Sequence, residues 1–221
     1  MIRLLCLYPL SLVFSIIVLI RNNLYDWKIL PQIDSKIPVI SVGNIQVGGT
    51  GKTPFVAGLI KLLLEKNLTP LIITRGYKRN TKKQIILNDL NQYTVEEVGD
   101  EPYYLKVLFN TVPIIIDSNK TNAIITANTI QNIDCIVLDD GYQSRYIKRD
   151  LDIVLINTWQ ETQKFNILPF GTLREKVVNL NRADFLYTLK GNKSKKIFLN
   201  HKTHHPNISY QLITYKHKKV H

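Results

Sequence analysis

The stretch Val47-Gly48-Gly49-Thr50-Gly51-Lys52-Thr53-Pro54 constrains this chain more than any other. An apolar run, Ile37 to Val42, precedes it and reads as a buried strand. After it, Phe55, Val56, Leu59, Ile60, Leu63 and Leu64 recur at helical spacing. Strand, glycine loop, Gly-Lys-Thr and helix form the setting of a phosphate-binding loop. The amides of Gly48, Gly49, Thr50 and Gly51 can face phosphate oxygens, and the helix start adds partial positive charge. Lys52 is placed to reach the outer phosphates, and the Thr53 hydroxyl suits Mg²⁺. The spacing departs at one point: the first glycine of G-x-x-x-x-G-K-[ST] falls at position 46, which is Gln46. Asn119-Lys120-Thr121-Asn122 lacks the acid of a guanine-reading Asn-Lys-x-Asp, so guanine specificity has no support.

The rest of the chain alternates strands and helices. Strands are expected at Leu71–Thr74, Gln84–Leu87, Val112–Ile116, Cys135–Leu138, Leu151–Ile156, Phe185–Leu189 and Ile197–Leu199. Helices are expected at Glu101–Phe109 and Lys120–Ile130, with Asn67 ending the first. This pattern predicts an α/β fold: a mainly parallel sheet flanked by helices, like that of the phosphate-loop NTPases. A boundary near Gly191 is the one internal division suggested.

The amino terminus reads differently. Leu4 to Ile20 is almost wholly apolar and bracketed by Arg3 and Arg21, slightly short of the ~20 residues that cross a bilayer comfortably. No small-residue cleavage site follows, which argues against a signal peptide. A buried core helix and an uncleaved anchor both remain open; Tyr8, Tyr25 and Trp27 suit an interfacial belt and favour the anchor, spanning or lying shallowly in one leaflet. Residues 1–27 are therefore read as an anchor and 28–221 as the nucleotide domain. The formal net charge of +12 suits an acidic partner, whether nucleic acid, nucleotide or anionic membrane. Two cysteines in separate apolar runs exclude a disulfide framework. All five histidines fall between His201 and His221 without metal-site spacing, and no G-x-S-x-G serine hydrolase motif occurs.

Further residues carry candidate chemistry. Asp139-Asp140 closes an apolar strand, where ligands of a parallel sheet gather, and suits Mg²⁺. Asp100, in Val98-Gly99-Asp100-Glu101-Pro102, fits two roles, helix N-cap or general base, and spacing does not separate them. Arg75 ends the second strand and suits a phosphate or substrate contact. Arg174, beside Glu175, suits bidentate phosphate binding or a plain surface ion pair.

Taken in order, these segments resemble the tetraacyldisaccharide 4′-kinase family of lipid A synthesis. The resemblance runs through Arg21-Asn22-x-Leu24-Tyr25-Asp26, Ser41-Val42-Gly43-Asn44, the glycine loop, Thr74-Arg75-Gly76-Tyr77 and Val98 to Pro102. It continues through Asp139-Asp140-Gly141-Tyr142-Gln143 with Arg149-Asp150, Leu168-Pro169 to Leu173-Arg174-Glu175, and Arg182-Ala183-Asp184. It implies transfer of the ATP γ-phosphate to the 4′-hydroxyl of a lipid-linked glucosamine disaccharide. It implies Asp100, Lys52 and Asp140 as catalytic residues and Thr53, Asp139 and Asp140 around Mg²⁺. Arg75, Glu101, Gln143, Arg174 and Glu175 are the implied substrate or phosphate contacts. It also implies a place on the cytoplasmic face of the bacterial inner membrane, with lipid A precursor and membrane lipids as partners and no nucleic acid. Ser144 stands where the family signature has His, and Ser118 where it tends to have Arg. Family members continue into a C-terminal lobe, which the resemblance implies is largely missing from these 221 residues. The rival reading is a truncated relative that binds nucleotide and membrane without transferring phosphate.

Overall fold

The computed structural model describes residues 2–48, 51–157 and 166–189. Gly49, Thr50, the expected strand at 197–199, the turn and boundary near Gly191 and the five histidines lie outside the described residues.

Seven strands form one sheet: β1 (Val39–Asn44), β2 (Pro70–Thr74), β3 (Ile85–Leu87), β4 (Ile114–Ile116), β5 (Cys135–Asp139), β6 (Leu151–Asn157) and β7 (Phe185–Leu189). Their spatial order is β3-β4-β2-β5-β1-β6-β7. All pairs are parallel except β3 against β4. The helices are α1 (Ile2–Asp26), α2 (Lys52–Glu65), α3 (Val95–Val98), α4 (Asp100–Leu108) and α5 (Lys120–Ala127). The expected α/β architecture is thus present. Among the described residues the expected strands and helices sit within a few residues of their observed bounds, the β3 edge being the one antiparallel member.

Buried on both faces, the central strands read as continuous apolar runs. Period-two alternation divides them between two cores. Ile72 and Val137 face α2 and α4, beside Val56, Ile60 and Leu105. Leu71, Ile73, Ile136 and Leu138 face α5, against Ala123, Ile124 and Ala127. A third cluster, Ile45, Tyr142, Val154, Ile156, Leu173 and Leu180, packs the β6 side. There Gly43 on β1 is obligatory for space: a Cβ at this position would lie 2.6 Å from Tyr142 Cβ and 2.8 Å from Tyr142 N.

Helix α1 departs from ordinary amphipathic packing. Its buried residues are Ser11, Ser15, Val18 and Asn22, spaced i, i+4, i+7, i+11 on one face. Leu10, Leu12, Val13, Ile16, Ile17, Leu19 and Ile20 are exposed. The inward face is fastened by hydrogen bonds: Ser11 Oγ donates to Ile167 O (3.0 Å) and accepts from Phe170 N (2.8 Å). Farther along, Arg145 donates to Asn22 O (2.9 Å) and pairs with Asp26 at 2.6 Å. Among the described residues the polar stripe of α1 faces the lobe and its apolar side is exposed, the reverse of a core helix.

Candidate nucleotide site

The carboxyl ends of β1, β2 and β5 converge, as register requires: Val42 on β1 stands beside Asp139 on β5, and Ile73 on β2 beside Leu138. The glycine loop leaves β1 there, and α2 begins at Lys52, with Gly51 in the left-handed region (φ 62) as its N-cap. The N-terminus of a 14-residue helix thus stands at the strand ends. Gln46 is buried at the loop's base, bridged to Leu173 on the neighbouring segment. That position serves as strand pairing, so the missing glycine costs the loop nothing.

Lys52 Nζ lies 3.4 Å from Asp140 Oδ1. Arg174 Nη1 donates to Asp140 Oδ2 at 2.8 Å and to Gln143 Oε1 at 3.1 Å. Burial alone would raise the Asp140 pKa; the Lys52 and Arg174 cations outweigh it and hold the carboxyl below its ordinary range. Asp139 behaves oppositely: burial pushes its pKa up, against Lys120 and a 3.0 Å hydrogen bond from Thr74 Oγ1. Lys120 was not anticipated from sequence. Its buried ammonium donates to the carbonyls of Asp139 (2.8 Å) and Asp140 (2.5 Å), tying α5 to the end of β5. Burial lowers its pKa to about 8, partly offset by Asp140 and Asp139.

Thr53 Oγ1 donates to Glu101 Oε1 at 3.2 Å, joining α2 to α4. Asp100, next to it, is exposed and opens α4. The N-cap alternative fails: Gly99 is the cap residue, with no side-chain cap hydrogen bond. Gly99 adopts φ 92 and ψ 154, a conformation that favours glycine, and so turns the chain to present Asp100 at the helix start. A small cleft beside Asp100 is lined by Tyr77, Lys78, Asn80, Val95, Glu96 and Gly99. Arg75 is exposed at the end of β2.

Glu175 needs correction. Expected to contact substrate, it is fully buried. It is not paired with its neighbour Arg174 either: its carboxylate meets Arg182 Nη2 at 2.8 Å and accepts from Asn22, Gln143 and Asn179. Arg149 and Asp150, which close the signature that begins at Asp139, are also structural. Arg149 pairs with buried Asp152 at 3.0 Å, and Asp150 Oδ2 accepts from Val39 N at 2.8 Å. Ser144, where a histidine was expected, is buried.

The donor set fits Mg²⁺. Asp140 Oδ1 is buried and accepts no hydrogen bond, so one carboxylate oxygen is available to a cation. Among the described residues no cluster of three or more His, Cys, Asp or Glu converges. One or two carboxylates supplemented by substrate phosphates and water is the usual Mg²⁺ arrangement. Around that carboxylate pair stand Lys52, Lys120 and Arg174, which suits a polyphosphate.

Fold and site together define a phosphate-loop protein of nucleotide-dependent type. The family model described as tetraacyldisaccharide-1-P 4′-kinase, LpxK, matches residues 3–221, and the chain belongs to that family. It is 38% identical to the tetraacyldisaccharide 4′-kinase of Bacteroides thetaiotaomicron over 186 residues, 83% of this chain and 48% of that one. It is 39% identical to that of Chlorobium phaeobacteroides over 189 residues, 83% of this chain and 53% of the relative. Its fold matches the crystal structure of LpxK from Aquifex aeolicus in complex with ATP. The TM-score is 0.74 at 37% identity, covering 81% of this chain and 56% of that one. The chain thus spans about half the length of the curated relatives it matches.

Proposed function

We propose that this chain carries the nucleotide-binding half of a kinase that transfers the ATP γ-phosphate to the 4′-hydroxyl of a tetraacylated glucosamine disaccharide. The observation that carries this reading is the meeting of Lys52, Arg174 and an available Asp140 oxygen at the head of α2, with Asp100 one residue from the Thr53–Glu101 contact. Lys52 and the loop amides hold the β- and γ-phosphates. Thr53, Asp139 and Asp140 would hold Mg²⁺, which when bound would supply positive charge to the phosphate oxygens. Asp100 accepts the proton of the attacking hydroxyl as the new O–P bond forms and the bond to the departing ADP breaks. Arg174 and Lys52 stabilise charge spread over the transferred group; positioning and electrostatics supply most of the acceleration.

The outward apolar face of α1 supports a membrane surface as the site of action. Between Ser11 and Asp26 the helix is fastened to the lobe over about 22 Å, at 1.5 Å per residue. A helix held along its side lies in the plane of one leaflet, the shallow form of the two anchors considered. Its apolar side enters the bilayer and its polar side grips the protein. An acceptor carrying acyl chains is embedded in the same plane. The inner membrane's cytoplasmic face, where ATP is available and headgroups are anionic, suits the basic chain.

A radiolabelled-ATP assay with the disaccharide precursor tests the transfer. The 221 residues alone should bind nucleotide and turn over slowly or not at all, and adding a family C-terminal lobe should raise the rate. Asp100→Ala should then remove the gain. Undiminished transfer by Asp100→Ala in the completed protein would overturn its role.

A further inference from the structure

An unbroken chain of polar contacts, buried at α1 and half-buried toward Asp140, joins α1 to the phosphate site. Asn22 Nδ2 donates to Glu175 Oε2 (3.2 Å). Gln143 Nε2 donates to Glu175 Oε1 (3.0 Å) and to Asn44 O (2.8 Å). The Gln143 oxygen accepts from Arg174 Nη1, which also holds Asp140 Oδ2, and Asp140 Oδ1 faces Lys52. The polarity of this chain admits one arrangement. A carboxylate only accepts, so Glu175 draws the amide nitrogens of Asn22 and Gln143 toward itself. With its nitrogen committed to Glu175 and Asn44 O, Gln143 presents its oxygen to Arg174. That contact fixes the guanidinium against one oxygen of Asp140 and leaves the other to the ligand side. Glu175 is fully buried and Asn22 is 2% exposed, so water offers no substitute partners.

We propose that Asn22 and Glu175 are positioning residues for the phosphate site, through which the seat of α1 on the lobe sets the aim of the Asp140 carboxylate. The proposal rests on the reading of Asp140 as an Mg-nucleotide ligand. Its physical content is a coupling: losing Asn22 takes away one of the donors that seat Glu175, which keeps Arg182 and Asn179, and the carboxylate then shifts with Gln143, so that Arg174 is aimed less firmly at Asp140. Because coupling free energies are reciprocal, Mg-ATP binding also steadies the seat of α1.

The experiment compares two helix contacts of similar kind. Asn22→Ala removes the donor on the chain. Ser11→Ala removes a polar docking contact of α1 that lies off it. Neither alters the outward face, and both should pellet with anionic vesicles like the wild type. Mg-ATP affinity and the Mg²⁺ concentration for half-maximal ATP binding are measured by calorimetry, beside thermal unfolding. Asn22→Ala is expected to weaken Mg-ATP binding about three- to ten-fold and to raise the Mg²⁺ requirement in proportion, with Ser11→Ala unchanged in both. Wild-type affinity in Asn22→Ala overturns the proposal, as does an equal loss in both variants, which would make α1 a general stabiliser. If Asn22→Ala does not fold, Asn22→Ser, too short to reach Glu175, takes its place in the same comparison. A wild-type chain that binds no Mg-ATP overturns the reading of the site itself, and this proposal with it.

Discussion

Helices α1 and α2 are both rich in Leu, Ile and Val, yet they solve opposite problems. Helix α2 buries Val56, Ile60 and Leu63 against the sheet. Helix α1 buries Ser11, Ser15 and Asn22 and leaves its large apolar side chains outside. For α2 the apolar medium is the protein's own core. For α1 the lobe meets the polar side, and the apolar side is left exposed. Composition therefore does not say which way a helix faces. What says it is the spacing of the few polar residues and the groups they meet: Ser11 a backbone carbonyl and amide, Asn22 a buried carboxylate.

The contrast breaks first on function. Lys52→Ala, at the head of α2, should abolish detectable Mg-ATP binding or transfer, because the cation that faces Asp140 and is proposed to hold the outer phosphates disappears; calorimetry decides it, and wild-type affinity and transfer together would remove Lys52 from the site. Next comes stability. Ile60→Ala, at a fully buried position, should cost about 2–5 kcal/mol in denaturant unfolding, whereas Ile17→Ala, at an exposed position on α1, should cost less than about 0.5 kcal/mol. Equal losses would mean that the α1 face is covered by protein. The converse experiment uses membranes. Replacing Ile16, Ile17 and Ile20 together by Ser should reduce vesicle pelleting by about tenfold or more, since each buried aliphatic side chain contributes about 1.5–3 kcal/mol. Undiminished pelleting would place membrane binding elsewhere.

The smallest effect concerns α5. The folded-state pKa of Lys120 is about 8, below its ordinary 10.5. Between those values the unfolded chain holds the proton and the folded chain sheds it, so stability from this group rises with pH. Comparing wild type with Lys120→Arg, which stays charged, should show the wild type gaining relative stability from about pH 8 to 10; parallel profiles would contradict it.

The strands of the sheet were plain in sequence because parallel strands buried on both faces are uninterrupted apolar runs. The glycine loop was plain because its spacing and setting coincide. Asp100 was ambiguous, since a residue that starts a helix and one that precedes it are one position apart; Gly99 took the cap. Glu175 stood among the implied substrate contacts because a motif position does not show whether a carboxylate faces the cleft or the interior. In the folded chain Arg174 and Glu175 take different partners, Asp140 and Arg182, brought near by tertiary packing. Lys120 carried no local signal, as its acceptors are main-chain carbonyls 19 and 20 residues away. The polar stripe of α1 was legible in principle: Ser11, Ser15 and Asn22 lie on one helical face. It went unused because the surrounding run was weighed for its apolarity alone.

The inward polar face of α1 bears on how a water-soluble form could be engineered. Cutting the whole helix away would strip cover from Glu175 and Arg145, leaving charges arranged for a dry interface facing solvent. Recolouring only the outer surface, Leu12, Val13, Ile16 and Ile20 to Glu, Lys or Gln, keeps that seam closed. Such a repainted chain is the better starting material for crystallisation without detergent.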